Sequence, residues 1–134
     1  FAGIAVVVAP AYGIADAAAF EAVATPLVAH GNAALFAGAV LAGWLMGLMS
    51  WLVAAAQETL SRAFFVWLVA ATIGIAHLPH CIAGSVEVLL GVASGAVSPV
   101  VYGRFLVFAT AGNVVGGVVF VSLLKYGHVI RGGS

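Results

Sequence analysis

The chain has 134 residues, of which 65% are hydrophobic and 6% are charged, and its formal net charge is +0 at a mean hydropathy of +1.26. Soluble domains carry roughly 25% charged residues, so this chain has too few to cover a surface that faces water. The composition therefore predicts an integral membrane protein with the lipid bilayer as its surroundings. No basic stripe is present, which excludes nucleic acid as a partner, and the single cysteine excludes an internal disulfide.

The first part of the chain contains no complete membrane span. Residues 1–15 open at Phe1 within an apolar run and lack the basic segment and cleavage site of a signal peptide. We expect them to be the tail of a span in a fragment that lacks its upstream spans. Residues 16–32 include Asp16 and Glu21 and predict an external loop with a short surface helix.

Two later segments are uncharged and long enough to cross a bilayer, which takes about 20 apolar residues. They are residues 33–56 and 105–124. The segment 125–134 that follows predicts a cytoplasmic tail, because basic residues concentrate on the cytoplasmic side of membrane proteins. With this orientation Arg62, Lys125 and Arg131 lie inside and Arg104 lies outside.

The segment between these spans, residues 63–95, has an unusual length. As one helix of about 33 residues it would extend about 50 Å, against a hydrocarbon core of about 30 Å, while two full spans need about 40 residues. Pro79 lies at its centre and breaks helices. We predict one discontinuous span of two half-helices with the break at Pro79. Unwound backbone at that depth is tolerated only where it is buried or lines a wet cavity, so the break predicts a pore or a binding site.

Three ionisable residues accompany the predicted break. His80 is either a proton-exchanging residue near the midplane or a histidine bonded to a neighbouring helix. Ionisable groups inside a membrane are functional by default, and imidazole changes its charge between about pH 5 and 8. His77, one turn earlier, either faces the same cavity or is packed. Glu87 is either a cavity-facing acid near the outer mouth, one layer behind the residues that would contact a substrate, or an interface residue bonded to another helix, and both interpretations stay open.

Catalysis and metal binding are less well supported by the sequence. His77 and His80 form a His-x-x-His pair that could ligate haem or a metal, but only Glu87 and Cys81 are near them in sequence, which is an incomplete ligand set. Ser94 does not lie in a G-x-S-x-G motif. We therefore predict no catalytic residues, no metal site, no cofactor and no enzymatic activity.

The last predicted span contains the sequence "TAGNVVGG". Gly112 and Gly116 form a G-x-x-x-G motif, which lets two helices approach closely, and Gly43 and Gly47 repeat this spacing on the earlier span. Asn113 either donates a hydrogen bond to a permeating ion or satisfies the broken backbone nearby.

Two motifs together, "PHCIAGSVEV" at the break and "GNVVGG" in the last span, make the chain resemble the formate/nitrite transporter family. The resemblance implies an all-α membrane bundle that is the C-terminal part of an aquaporin-like six-span fold, with both termini cytoplasmic. It matches His80 to the central pore histidine and Asn113 to the asparagine of the last span. The chain departs from the family motif at Pro79, Cys81 and Gly84, where glutamate, serine and asparagine are usual.

The resemblance also implies the function. It predicts a homopentamer in a prokaryotic plasma membrane, each protomer passing small monovalent anions such as formate or nitrite. His80 would exchange a proton with the anion, and Ile73 and Leu78 would keep the constriction dry. The alternatives are a membrane-embedded haem- or metal-binding subunit that uses His77 and His80, and a channel for a neutral solute.

Overall fold

The computed structural model describes residues 1–123 and 126–127. Every regular element in these ranges is helical. Two helices, Asn32–Ala55 and the continuous helix Pro99–Leu123, are long and apolar enough to cross a membrane, which together with the composition defines a membrane helical bundle. The elements are α1 (Ala2–Ala11), α2 (Ala17–Val28), α3 (Asn32–Ala55), α4 (Thr59–Ile75), α5 (Ala83–Ala93) and α6 (Pro99–Val114), which continues into a π-helical segment (Val115–Phe120).

The closest packing in the bundle joins α3 and α6. A Cβ atom added to Gly112 would lie 2.5 Å from the Cβ of Ala39 and 2.7 Å from the carbonyl oxygen of Phe36. One added to Gly116 would lie 2.7 Å from the backbone nitrogen of Trp44. These contacts confirm the prediction that the G-x-x-x-G motif of the last span allows a close helix contact.

The small residues of α3 complete the same interface. Gly43 lies against the backbone of Asn113, where an added Cβ would come within 2.6 Å of the Cα atom, and Gly47 faces Val121 and Gly117. Residue numbers rise together along the two contacting helices, so α3 and α6 run parallel.

The direction of α4 and α5 follows from their contacts. α4 returns beside α3 after a short turn, and Pro79, just beyond its end, lies against Gly38 near the start of α3. α5 runs antiparallel to α6, because Gly84 faces Phe105 while Gly91 faces Val97, just before α6 begins. Since α3 and α6 are parallel, α4 and α5 run in the same direction on either side of residues 76–82, which we call the interruption.

Residues 16–32, predicted to be a loop with a surface helix, contain α2, which packs into the bundle on one side. Asp16 caps α2 by accepting a hydrogen bond from the backbone N–H of Ala19 at 2.9 Å. Ala24 and Leu27 are buried against glycines of α5. The hydrophobic residues of α2 are visible in the sequence, but their packing partners could not be predicted. The glycines of α5 that contact them lie about 60 residues later in the chain.

The last helix begins at Pro99, ahead of the predicted start at residue 105. Ser98 caps it, its side chain accepting from the backbone N–H of Val101 at 3.3 Å, and proline is favoured at a first helical position. Arg104 is therefore inside the helix, where its Nη2 donates to the carbonyl oxygens of Val28 at 2.7 Å and His30 at 3.0 Å. A helix C-terminus carries partial negative charge, which suits a cation. The predicted tail, residues 125–134, lies outside the described residues except for 126–127.

The hydrophobic core lies where α2, α3, α5 and α6 meet. Phe105, Leu35 and Val88 are its largest fully buried side chains. The remaining buried members of this cluster are Ala24, Leu27, Val97 and Ala109.

Replacing Gly116 with leucine should separate α3 from α6. The new side chain would overlap the backbone of Val40 and Trp44, and backbone cannot move aside as a flexible side chain can. We expect Gly116→Leu in the full-length protein to lower the free energy of unfolding by at least about 2 kcal/mol and to reduce the yield of folded protein. The matched control is Gly103→Leu on the same helix, where an added Cβ meets no atom within 4 Å. Equal melting temperatures for the two variants in detergent would contradict this packing.

Candidate functional site

The interruption begins with a specific helix ending at the C-terminus of α4. The backbone N–H of Leu78 donates to the carbonyl oxygen of Ile73 at 3.0 Å, and that of His77 donates to Gly74 at 3.2 Å. This pair of bonds is the Schellman motif, whose central residue adopts a left-handed conformation. His77 holds that position with φ 48°, where glycine is usual but histidine and asparagine are tolerated. The helix therefore ends at Ile75, before Pro79 is reached, and Pro79 prevents it from resuming at once.

Asn113 holds the interrupted backbone in place. Its side-chain Oδ1 accepts a hydrogen bond from the backbone N–H of Cys81 at 2.8 Å. Its Nδ2 donates to the carbonyl oxygens of Pro79 at 3.0 Å and Ala39 at 2.8 Å. One amide thus satisfies backbone groups on both the interruption and α3. This agrees with the second role considered for Asn113, which is to satisfy the broken backbone nearby. Its predicted role toward a substrate stays a prediction.

His80 caps the second half-helix. Its Nδ1 accepts hydrogen bonds from the backbone N–H groups of Ile82 at 3.2 Å and Ala83 at 3.3 Å. These donors are the N-cap residue and the first residue of α5, whose N–H groups need acceptors because no helical turn precedes them. A neutral imidazole that accepts through Nδ1 carries its proton on Nε2, and Nε2 makes no hydrogen bond within the described ranges. In the described part of the chain, His80 therefore has one nitrogen bonded to the backbone and one without a hydrogen-bond partner.

A mostly apolar cavity of about 370 Å³ lies alongside the interruption. Residues of α4, of the interruption and of α5 line it, and α2 and α3 contribute Leu27 and Met46. Its ionisable lining residues are His77, His80 and Glu87. An apolar cavity with few polar groups at a backbone break is typical of a small-molecule site.

The sequence-predicted site residues divide into two groups in the structure. Five line the cavity: Ile73, His77, Leu78, His80 and Glu87. Two lie behind it, since Pro79 is buried against Gly38 and Asn113 is bonded to backbone. The cavity thus gathers the ionisable residues and the two apolar ones, while the roles predicted for them toward a substrate stay predictions.

Sequence reasoning missed the part of the lining contributed by other segments. Gly84 could have been found, because it shares a helical stripe with His80 and Glu87. Leu27 and Met46 had no local signal, since their place depends on how α2 and α3 pack against the interrupted pair. Arg104 was expected on the outer side, and its hydrogen bonds to the carbonyls at the end of α2 were not predicted.

The metal-binding alternative finds no support in the described residues. No group of three or more His, Cys, Asp or Glu side chains in residues 1–123 and 126–127 is arranged to hold a metal ion. His80 also uses Nδ1 as an acceptor for the backbone, which leaves only Nε2 as a metal ligand.

The helical elements and the composition define a membrane helical bundle, with a cavity beside residues 76–82. The chain belongs to the formate/nitrite transporter family, whose model matches residues 1–127. It is also similar to the inner membrane protein YfdC of Escherichia coli (strain K12), with 29% identity over 99 residues. That match covers 71% of this chain and 30% of YfdC, so the chain spans less than a third of this relative. No solved structure matches the chain.

Removing the Asn113 side chain should destabilise the interruption. Asn113→Ala leaves the Cys81 N–H and the carbonyls of Pro79 and Ala39 without their partner. Because an unsatisfied buried backbone group costs about 1–3 kcal/mol, we expect the free energy of unfolding to fall by about 2 kcal/mol or more. The control, Thr110→Ala, removes an exposed side chain one turn away on the same helix. Thermal unfolding in detergent compares them, and an Asn113→Ala protein as stable as Thr110→Ala would contradict the assigned role.

Proposed function

We propose that this chain is the C-terminal part of a membrane transporter for small monovalent anions such as formate or nitrite. In this proposal the interruption lies near the middle of the bilayer and His80 exchanges a proton with the permeating anion. The observation that carries the proposal is the position of His80, which lines the apolar cavity at the interruption while Nε2 has no partner within the described residues. Family membership supports the anion as substrate class.

The apolar lining explains why a proton is needed. A bare anion in a low-dielectric cavity is costly, whereas a neutral weak acid is not. The imidazolium form of His80 would attract the anion and transfer a proton to it, giving a neutral acid and a neutral imidazole. Transfer from Nε2 leaves the remaining proton on Nδ1, so the tautomer whose Nδ1 accepts the N–H groups of Ile82 and Ala83 re-forms when Nδ1 releases its proton and Nε2 gains one. Return of the proton from another acid molecule or from water resets the site.

The proposal includes a topology. The common direction of α4 and α5 supports a single crossing by residues 63–95 in two half-helices. The direction from the cytoplasm outward and the cytoplasmic C-terminus rest on the distribution of basic residues in the sequence. The Asn113 bridge supports backbone unwound at that depth, because it supplies hydrogen bonds that lipid cannot. The homopentamer and the prokaryotic plasma membrane belong to the same proposal and follow from the family resemblance.

His80→Asn should abolish or sharply slow formate and nitrite flux in liposomes that contain the full-length protein. Asparagine keeps a side-chain acceptor for the first turn of α5 and is a favoured cap, but it cannot carry a positive charge or relay a proton. Any residual flux should lose its pH dependence between about pH 5 and 8, the range in which imidazole titrates. Flux is measured by uptake across that range.

The matched control is His77→Asn. Asparagine also tolerates the left-handed conformation of this position, so the helix ending is kept. We expect a smaller loss of flux and a pH dependence that persists. Wild-type rates and pH profile in His80→Asn would overturn the mechanism, and a loss confined to His77→Asn would move the site one turn back.

The single crossing can be tested with cysteines at the two ends of the segment. In a Cys81→Ser background, Ser94→Cys should react with a membrane-impermeant thiol reagent added outside intact cells. Ser61→Cys, just inside the start of α4, should react only after the membrane is permeabilised. Labelling of both positions from the same side would show a re-entrant hairpin and contradict the topology.

A further inference from the structure

A helix glycine, Gly74, lies in the wall of the cavity. It belongs to the last turn of α4, and the residues of α4 that line the cavity are Ala70, Ile73, Gly74 and His77. Residues three and four positions apart lie on one face of a helix, so these four form a single face of α4. Gly74 lies in the middle of that face, and a side chain at this position would extend toward the cavity.

Neither packing nor backbone geometry requires a glycine at position 74. Apart from its own helix backbone and chain neighbours, a Cβ atom added to Gly74 would have no atom within 4 Å. One added to Gly84, which lines the same cavity on α5, would lie 2.7 Å from the Cζ atom of Phe105. Among the described residues, the glycines with positive φ are Gly13 and Gly95. Glycine inside a helix is less favourable than alanine, so what the missing side chain of Gly74 contributes is volume.

The cavity is larger than formate or nitrite requires. Its volume is about 370 Å³. A water molecule needs about 10–15 Å³ of such volume, and formate and nitrite have only a few heavy atoms each. Pockets of about 300–1,000 Å³ are typical for organic ligands. The cavity therefore has room for an acid that carries a hydrocarbon chain.

The lining on the α4 side suits such a chain. Ala70 and Ile73 contribute apolar groups, and Met46 of α3 adds a flexible apolar side chain. The ionisable lining residues lie elsewhere, with His77 and His80 at the interruption and Glu87 on α5. Nε2 of His80 has no hydrogen-bond partner within the described ranges. The site thus offers a polar contact for a carboxylate and an apolar space beside it.

We propose that Gly74 is the specificity-determining residue of this cavity. Its missing side chain makes room for the alkyl chain of a short-chain monocarboxylate such as butyrate, while the carboxylate meets Nε2 of His80. The proposed proton transfer then gives a neutral acid whose tail lies against the apolar lining. The inference rests on the proposed anion transport and adds a size limit for the anion. A larger residue at position 74 excludes butyrate and leaves room for formate beside His80.

Gly74→Leu tests the size limit in the full-length protein in liposomes, with formate and butyrate as probes. Because one methylene in an apolar pocket changes discrimination by about tenfold or more, we expect the ratio of butyrate to formate uptake to fall at least about tenfold. Formate uptake should change little. Gly74→Ala adds only a Cβ atom, for which there is space, and should lower the ratio part of the way.

The matched control is Gly103→Leu. It adds the same side chain to open space on α6, away from the cavity lining, and should keep the wild-type ratio. A wild-type ratio in Gly74→Leu, or an equal loss of both acids, would overturn the proposal. A melting temperature in detergent well below that of Gly103→Leu would also overturn it, because Gly74 would then serve a helix contact in the full-length protein.

Wild-type protein provides the remaining comparison. Uptake of formate without uptake of butyrate would refute the size limit and leave the proposed function standing. The proposed function fails separately, if wild-type protein takes up neither formate nor nitrite or if His80→Asn keeps the wild-type uptake and pH profile.

Discussion

The amide of Asn113 is the interaction on which the arrangement of this protein depends. It joins the interruption to the α3–α6 pair through the N–H of Cys81 and the carbonyls of Pro79 and Ala39. In water such bonds contribute about 1 kcal/mol each, since water competes for the same groups. In a bilayer no water is available, so backbone that leaves a helix needs partners from the protein. His80, one residue from each of the two backbone groups of the interruption that Asn113 bonds, lines the cavity, whereas Asn113 does not.

The close packing of α3 and α6 makes that bridge possible. Gly43 receives the backbone of Asn113, and Gly112 and Gly116 receive the backbone of α3, so the two axes approach until the Asn113 side chain reaches Ala39. Larger residues at these positions would push the amide away from both of its carbonyl partners. The glycines therefore affect the site indirectly, because they keep α3 and α6 close enough for the short Asn113 side chain to form its hydrogen bonds.

The sequence contained part of this arrangement. The spacing of Gly112 and Gly116 predicted the helix contact, because small residues four apart lie on one helical face. The sequence around His77 did not reveal that α4 ends at Ile75 through a Schellman motif, because histidine is a rare residue at the left-handed position of that motif. The hydrogen bonds from Arg104 to the end of α2 could not be predicted from the sequence either, because the acceptors are backbone carbonyls 74 and 76 positions away. Long-range hydrogen bonds to backbone leave no residue-type signal.

Asn113 supports the interruption, and His80 lines the cavity beside it. A structure of the full-length protein in a lipid nanodisc, determined at a resolution that shows side chains, tests this most directly. We expect non-helical backbone at residues 76–82 near the middle of the bilayer, the Asn113 amide bonded to Cys81 and Pro79, and His80 lining a cavity. A continuous helix through these residues, or an Asn113 side chain turned toward lipid, would contradict it.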